Sequence, residues 1–281
     1  MHARDLRRQT LTPSACTVKQ SGIVLQLNHP ALVAELTGID VVADLRSRDV
    51  AAGGEGAPLV PAFHAECFAG DAARVILNIG GIANISVLGA RGESDCILGG
   101  DTGPGNMLID TWTQRITGAL YDKNGGWAAT GRVNEALLDE LLREPYFERP
   151  IPKSTGRELF SPAWLDAHLK GREGLRPENV ARTLVELTAR TVTDAVGRFA
   201  PDARELYVCG GGVYNKTLME AIAARFPGRT SSTEALGVPP MEVEAAAFAW
   251  LAARFLDRLP GNLPAVTRAT GLRILGALYP H

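Results

Sequence analysis

GGDTGPGNMLIDTW, residues 99–112, sets a single acid, Asp101, among glycines and a proline and then turns apolar. The apolar run CILGG leads into it. Beyond it Met107, Leu108, Thr111, Trp112, Arg115 and Ile116 recur with helical period from about Asn106 to Gly118. The stretch therefore reads as strand, Gly-rich turn and helix, with Asp101 at the strand-to-helix turn. The same design returns in ELYVCGGGVYNKTLMEAIAARF, residues 205–226. Strands alternating with helices predict an α/β fold.

The rest of the chain follows that pattern. RVILNIGGIANISVLG (74–89) is two apolar strands interrupted by Gly80 and Gly81, as in a hairpin or a bulge. GIVLQL (22–27) and IDVVADL (39–45) read as short strands. Between them HPALVAELTG reads as a helix with Pro30 in its first turn and Gly38 past its end. A Gly-rich loop from Ala51 runs into an apolar helix from about Pro58. Amphipathic helices are expected over 134–143 and 179–199, and an Ala-rich one within MEVEAAAFAWLAARFLDRL (241–259).

Composition narrows the function classes. The 281 residues are 46% apolar and 21% charged with a net charge of −2, which supplies a core but not the basic excess of a nucleic-acid or acidic-membrane partner. Small molecules or copies of the chain are the expected partners. Cys16, Cys67, Cys96 and Cys209 lack metal or disulfide spacing, and no apolar run approaches bilayer length, so a reducing cytoplasm is expected. The first ten residues carry three Arg against one Asp, readable as a basic arm or a frayed terminus.

Gly-rich turns between strand and helix let backbone N–H groups face anionic oxygens, which suits a nucleotide or sugar phosphate. Asp101, at the carboxyl end of a strand, suits a general base; an N-cap or Asx turn is the other reading of the same residue. PIPKSTGRELF (150–160) gathers Lys153, Ser154, Thr155, Arg157 and Glu158 in one polar loop, for a phosphate or sugar or for a cap at Ser154 or Thr155. Arg46, Arg48 and Asp49 suit a clamp on a sugar carboxylate or surface ion pairing. Glu244 lies on an otherwise apolar helical face and, turned inward, needs a partner, whereas Glu242 suits solvent. Asp110 reads as solvated surface or a cap partner. His64, His168, Tyr146, Phe147 and Trp164 read as packing residues.

ADLRSRDVAAGGEGAPLVPAFH, LNIGGIANIS, GGDTGPGNMLIDTW, YDKNGGWAATG, PKSTGRELF, VCGGGVYNKTLM and FAWLAARFLDRLPGNLPAVTRA, in that order over about residues 25–281, together resemble the anhydro-N-acetylmuramic acid kinases. The resemblance implies an actin-like or hexokinase-like (ribonuclease H-like) two-domain ATPase fold. Residues 1–55 and 265–281 would be the remnant of an incomplete first domain, and 56–264 a second domain carrying sugar and nucleotide cleft residues. It implies a cytoplasmic transferase of cell-wall recycling that uses ATP and Mg²⁺ to open the 1,6-anhydro ring with water and phosphorylate O6, giving N-acetylmuramic acid 6-phosphate.

By the same resemblance Asp101 takes the proton of the attacking water. Glu244, Arg46, Arg48 and Asp49 meet the sugar. Gly210, Gly211, Gly212 and Asn215 face the adenosine, and Gly80, Gly81, Asn84, Gly103 and Gly105 line the phosphates. It does not say which side chains meet the Mg²⁺, and it carries the expectation of a homodimer. The family's MSGTSLDG-like phosphate turn and HGQT-like segment are not found in this sequence, and Glu55 stands where the family usually has Gln. Those departures leave a second reading, a shortened, non-catalytic chain that binds a muropeptide sugar or a partner chain.

Overall fold

The computed structural model describes residues 9–10, 15–16, 25–26, 29–90 and 97–281. All but residues 9–10 of the basic N-terminal arm, all but 25–26 of the strand expected over 22–27, and Cys96 lie outside the described residues. The chain divides into two compact units, one holding the residues up to Phe68 and from Glu242 onward, the other Ala69–Met241.

The first unit opens with three two-residue strands, β1 (Gln9–Thr10), β2 (Ala15–Cys16) and β3 (Leu25–Gln26). In α1 (Pro30–Thr37) the ends are those that the sequence specifies: His29 Nδ1 accepts the Leu32 N–H, Pro30 occupies the first turn, and Gly38 closes the helix at φ 63°. The apolar strand β4 (Val41–Ala43) pairs parallel with β1. It is followed by α2 (Ser47–Ala51), which takes in the charged RSRD run from Ser47 on with Arg46 as its N-cap, and by α3 (Val60–Phe68).

The second unit is built on one five-stranded sheet. The hairpin of β5 (Arg74–Ile79) and β6 (Ile82–Leu88) turns at Gly80–Gly81 and is continued antiparallel by β7 (Leu98–Pro104). After β7 come α4 (Met107–Thr117), α5 (Glu135–Leu142), α6 (Pro162–Leu169) and the long α7 (Pro177–Phe199). Strand β8 (Glu205–Cys209), α8 (Lys216–Arg225) and β9 (Arg229–Ser232) complete the unit. The order is β7-β6-β5-β8-β9, with β5, β8 and β9 parallel and β6 alone antiparallel to its neighbours. This is the α/β, ribonuclease H-like sheet that the resemblance implies.

One face of that sheet supplies Val75, Leu77, Ile79, Ala83, Ile85 and Leu206 to a core closed by Leu108 and Trp112 of α4, Leu184 and Val192 of α7, and Leu218 and Ile222 of α8. Three bonds from helical side chains fix the β7–α4 corner to α7. The Trp112 indole N–H donates to Pro177 O at 2.9 Å, and the Thr188 hydroxyl reaches Pro104 O and Gly105 O at 3.0 Å each.

The first unit resumes with α9 (Val243–Leu256), α10 (Pro264–Thr267) and β10 (Ala277–Tyr279), the last antiparallel to β4. Phe248, Leu251 and Ala252 of α9 pack with Val42, Leu45, Leu59 and Leu275, and Trp250 meets Phe63 edge-on at 6.3 Å. That packing ties α3 to α9. The compact units accordingly divide at 68/69 and 241/242, and not at the 55/56 and 264/265 boundaries drawn from sequence. No helix among the described residues is long and apolar enough to cross a membrane.

The corner after β7 depends on a missing side chain. A Cβ on Gly105 would stand 2.4 Å from Gly80 O and 3.1 Å from Ala83 N, both backbone atoms that cannot swing aside. Gly105→Ala is therefore expected to cost about 2 kcal/mol or more by overpacking, read as a lower urea midpoint; an unchanged midpoint would show that the hairpin yields.

Candidate active site

Asp101 lies inside β7, and not at the strand-to-helix turn expected from sequence. Residues 98–101 and 103–104 pair with β6, Thr102 standing unpaired at a bulge, so the turn begins only at Gly105. Register sets Asp101 beside Asn84 of β6, Asn84 beside Asn78 of β5, and Asn78 beside Cys209 of β8. Side chains alternate along a strand, so this polar row lies on the face opposite Leu77 and Ile79. It occupies the carboxyl ends of β5 and β8, and a bulge between Ala83 and Asn84 re-aims the strand there.

The outer edge of β7 is gripped by the segment 146–155. The Asp101 N–H donates to Lys153 O at 2.9 Å, the Tyr146 hydroxyl donates to Asp101 O at 3.0 Å, and the Thr155 N–H donates to Asp101 Oδ2 at 2.9 Å. An N–H aimed at a carboxylate favours its ionised form, the state that a general base needs. Burial first, and the Asp101 charge second, push the Tyr146 phenol well above its ordinary range, which keeps it a donor. Lys153, read from sequence as part of a ligand-facing loop, is turned inward instead: it is 8% exposed and donates to Tyr146 O and Phe147 O at 3.0 Å each. Tyr146, Phe147, Phe160 and Trp164 form one packed aromatic cluster, as expected.

The Gly-rich turns, far apart in sequence, meet at Asn106. Its N–H donates to Gly80 O at 2.8 Å, its side-chain amide donates to Ile79 O at 3.2 Å, and Gly105 and Met107 both donate to Gly81 O. The Gly105, Asn106 and Met107 amides are thus already bonded within the fold and are not aimed at a ligand. The glycines separate into two kinds. Gly103, Gly105, Gly210 and Gly212 are hemmed in, a Cβ on each meeting another atom within 2.8 Å, so packing explains them. A Cβ on Gly80, Gly81 or Gly211 would meet only ordinary contacts, none closer than 3.7 Å, so packing does not explain these glycines.

Beside Gly211 and Asn106 lies a cavity of about 560 Å³, lined also by Asp110, Tyr121, Tyr214 and Asn215. Asn215 spends its Oδ1 on capping α8, accepting the Leu218 N–H at 3.0 Å. Asp110 is the site residue that sequence reasoning missed. It is half-buried in the cavity wall, and burial first, then the neighbouring Asp122 carboxylate, raise it to about 6. Asp122 is itself held by the Trp127 and Ala128 N–H groups at 2.9 and 2.8 Å. The only sequence signal was an acid in the first turn of a helix behind a Gly-rich corner.

The expected sugar-side residues belong to the first unit. Asp49 is fully buried, with Oδ2 accepting the Gly56 N–H and Oδ1 accepting from Asn262 and Thr267 at 2.8 and 2.7 Å. It therefore ties the 54–56 loop to the 262–267 segment. Arg48 is exposed. Arg46 donates to Gly56 O at 2.9 Å and feels the Glu244 charge, although burial, the larger effect, lowers its pKa; its Nε is buried without a hydrogen-bond partner. Glu244 is exposed in the first turn of α9, and not turned inward, because the buried stripe runs through Val243, Ala247, Phe248 and Leu251. Glu55 lies 3.5 Å from the Arg268 guanidinium. His64 packs against Phe63 and Phe68 and is drawn down to about 3 by burial, a neutral packing residue as expected. Among the described residues no group of three or more His, Cys, Asp or Glu is placed to hold a metal ion.

Comparison with known proteins bears on this geometry. The family model described as Anhydro-N-acetylmuramic acid kinase matches residues 7–281. Proteins named Anhydro-N-acetylmuramic acid kinase from Burkholderia mallei and Nitrosomonas europaea are each 54% identical to the chain. The first match covers 93% of the chain and 71% of that protein, the second 94% and 72%. Among solved structures, the activator of the 2-hydroxyisocaproyl-CoA dehydratase from Clostridium difficile with bound ADPNP aligns at TM-score 0.45 and 15% identity over 71% of the chain and 67% of its own. A ligand-bound xylulose kinase from Lactobacillus acidophilus aligns at 0.41 and 14% over 78% and 45%.

Two measurements check the assignments. Asp49→Ala strips the acceptor from three buried donors and is expected to lower stability by about 3 kcal/mol or more in urea unfolding; an unchanged midpoint would mean that the loops hold without it. Asp110, raised from 3.8 to about 6, binds its proton in the folded state where the unfolded chain has lost it, so stability falls as pH rises through that window. Asp110→Asn should raise the unfolding midpoint above pH 6 and give no gain below pH 4, and a gain equal at both would contradict the shift.

Proposed function

The chain belongs to the anhydro-N-acetylmuramic acid kinase family, and we propose that it opens the 1,6-anhydro ring of anhydro-N-acetylmuramic acid with water and phosphorylates O6 at the expense of ATP. The observation that carries this reading is the juxtaposition of a backbone-fixed carboxylate, Asp101, with the glycine turns at 80–81 and 211 around Asn106 on the second unit's sheet. Asp101 takes a proton from water as the water oxygen bonds to the anomeric carbon and the bond from that carbon to O6 breaks. Because Thr155 N–H and the β7 ladder already hold the carboxylate, little reorganisation is needed when the proton moves.

The nucleotide reading has its own support. A cavity of about 560 Å³ with mixed apolar and polar walls is of the size that takes a nucleoside. The exposed turns at Gly81 and Gly211 suit phosphate oxygens and a sugar that must come close. ATP supplies the phosphoryl group that O6 receives. Mg²⁺ enters this reading as the counter-ion of the phosphates, which bind it mainly through their own oxygens and one or two carboxylates. On the sugar side, Arg46 with its unpaired Nε and the exposed Glu244 are this reading's candidates in the first unit for a lactyl carboxylate and sugar hydroxyls. Asp49 would act there by holding the loop. In this reading the enzyme works on a small sugar in the cytoplasm, and its homodimer rests on the resemblance alone. The non-catalytic reading is not favoured by relatives of this identity and name.

Asp101→Asn keeps the shape and removes the base. We expect kcat for ATP-dependent sugar phosphorylation to fall about a thousand-fold with the sugar KM little changed, measured by coupled ADP release; a rate near that of the unmodified chain would retire the base assignment.

A further inference from the structure

We propose that Lys153 is a positioning residue for Asp101, acting by cross-linking the 146–155 segment that grips the edge of β7. The grip comes from one stretch: the carbonyl of 153, the N–H of 155 and the hydroxyl of 146 all bond Asp101. Lys153 Nζ bonds the carbonyls of 146 and 147, so the segment's two ends are fastened to each other across the same ammonium. The ammonium also sits 4.5 Å from the centre of the Tyr146 ring, the ring whose hydroxyl holds Asp101 O. Gly100 lets the segment come this close, since a Cβ there would meet Lys153 N and O at 3.1 Å. Phe160 backs the arrangement, 5.8 Å from Tyr146 and 5.6 Å from Phe147 between ring centres.

A neutral side chain would hold the two carbonyls less firmly. Two carbonyl oxygens pointing at one buried place need two donors, and a charged donor strengthens both bonds. The charges that face the ammonium are mixed. Arg198 of α7 and Arg149 oppose it, while Glu148 and Asp101 support it. A cavity of about 390 Å³ opens beside it, and that cavity also carries Asp139 of α5, Arg143 just past its end, and Arg190 and Asp194 of α7. Burial, then Arg198, bring Lys153 down to about 8, so the clamp is charged at neutral pH and weakens as pH rises through that value.

The catalytic consequence rests on the base reading of Asp101, whereas the clamp itself does not, and the test separates the two. Amide hydrogen exchange is read residue by residue on the whole chain. In Lys153→Met we expect protection of the Asp101 and Thr155 amides to fall about ten-fold or more, with Leu77 and Ile85 in β5 and β6 unchanged. We expect kcat to fall about thirty-fold while KM stays within about two-fold. Unchanged protection at 101 and 155 in a folded variant overturns the proposal. Should Lys153→Met not fold, the unmodified chain decides: protection at those two amides should drop between about pH 7 and pH 9 and should not drop in Lys153→Arg, which stays charged. A flat response in the unmodified chain overturns the proposal equally. Full turnover by Asp101→Asn would instead retire the base reading and leave the exchange result standing.

Discussion

The seating of the β7–α4 corner on the β5–β6 turn is the contact on which the second unit depends. Gly105 and Met107 donate to Gly81 O, Asn106 donates to Gly80 O, and Thr188 of α7 caps the corner from the other side. Because these are backbone groups, their geometry is fixed to within a few tenths of an ångström, and whatever they hold is fixed with them. They set the direction in which α4 leaves the sheet, hence where Asp110 stands in the cavity wall. They also set the level at which Asp101 crosses the polar row of Asn84 and Asn78.

The glycines illustrate how one residue type serves two ends. At Gly105, Gly210 and Gly212 the absence of a side chain lets one strand or turn press on another. At Gly80, Gly81 and Gly211 a side chain would meet only ordinary contacts, so packing alone does not call for glycine. A sequence motif rich in glycine therefore mixes scaffold and candidate ligand contacts, and only the neighbours of each Cα tell them apart.

Local elements were legible wherever the signal was local. Two apolar runs interrupted by Gly80 and Gly81 yielded the hairpin, and Pro30 and Gly38 bounded α1 as their backbone preferences require. Asp101 was legible as a chemistry-bearing acid but not as a strand residue, because glycines and a proline disguise a strand whose pairing comes from β6 and whose far edge is filled by a segment some fifty residues later. Lys153 and Asp49 looked like ligand-facing charges because they stand in polar runs. Their partners, the Tyr146 and Phe147 carbonyls in one case and Asn262 and Thr267 in the other, are supplied by the fold, as is the Asp122 carboxylate that helps to raise Asp110.

In the second unit the Asp101 carboxylate carries an N–H on its oxygen, and an ammonium stands behind the segment that delivers that N–H. The most direct test of that arrangement is to supply anhydro-N-acetylmuramic acid and ATP in heavy-oxygen water and read the products before the anomeric hydroxyl exchanges. The account predicts one ADP for each sugar 6-phosphate, with the heavy oxygen on the anomeric carbon and none in the phosphate. Heavy oxygen in free phosphate, with the sugar unchanged, would mean that water attacks phosphorus and that Asp101 is not the base for ring opening.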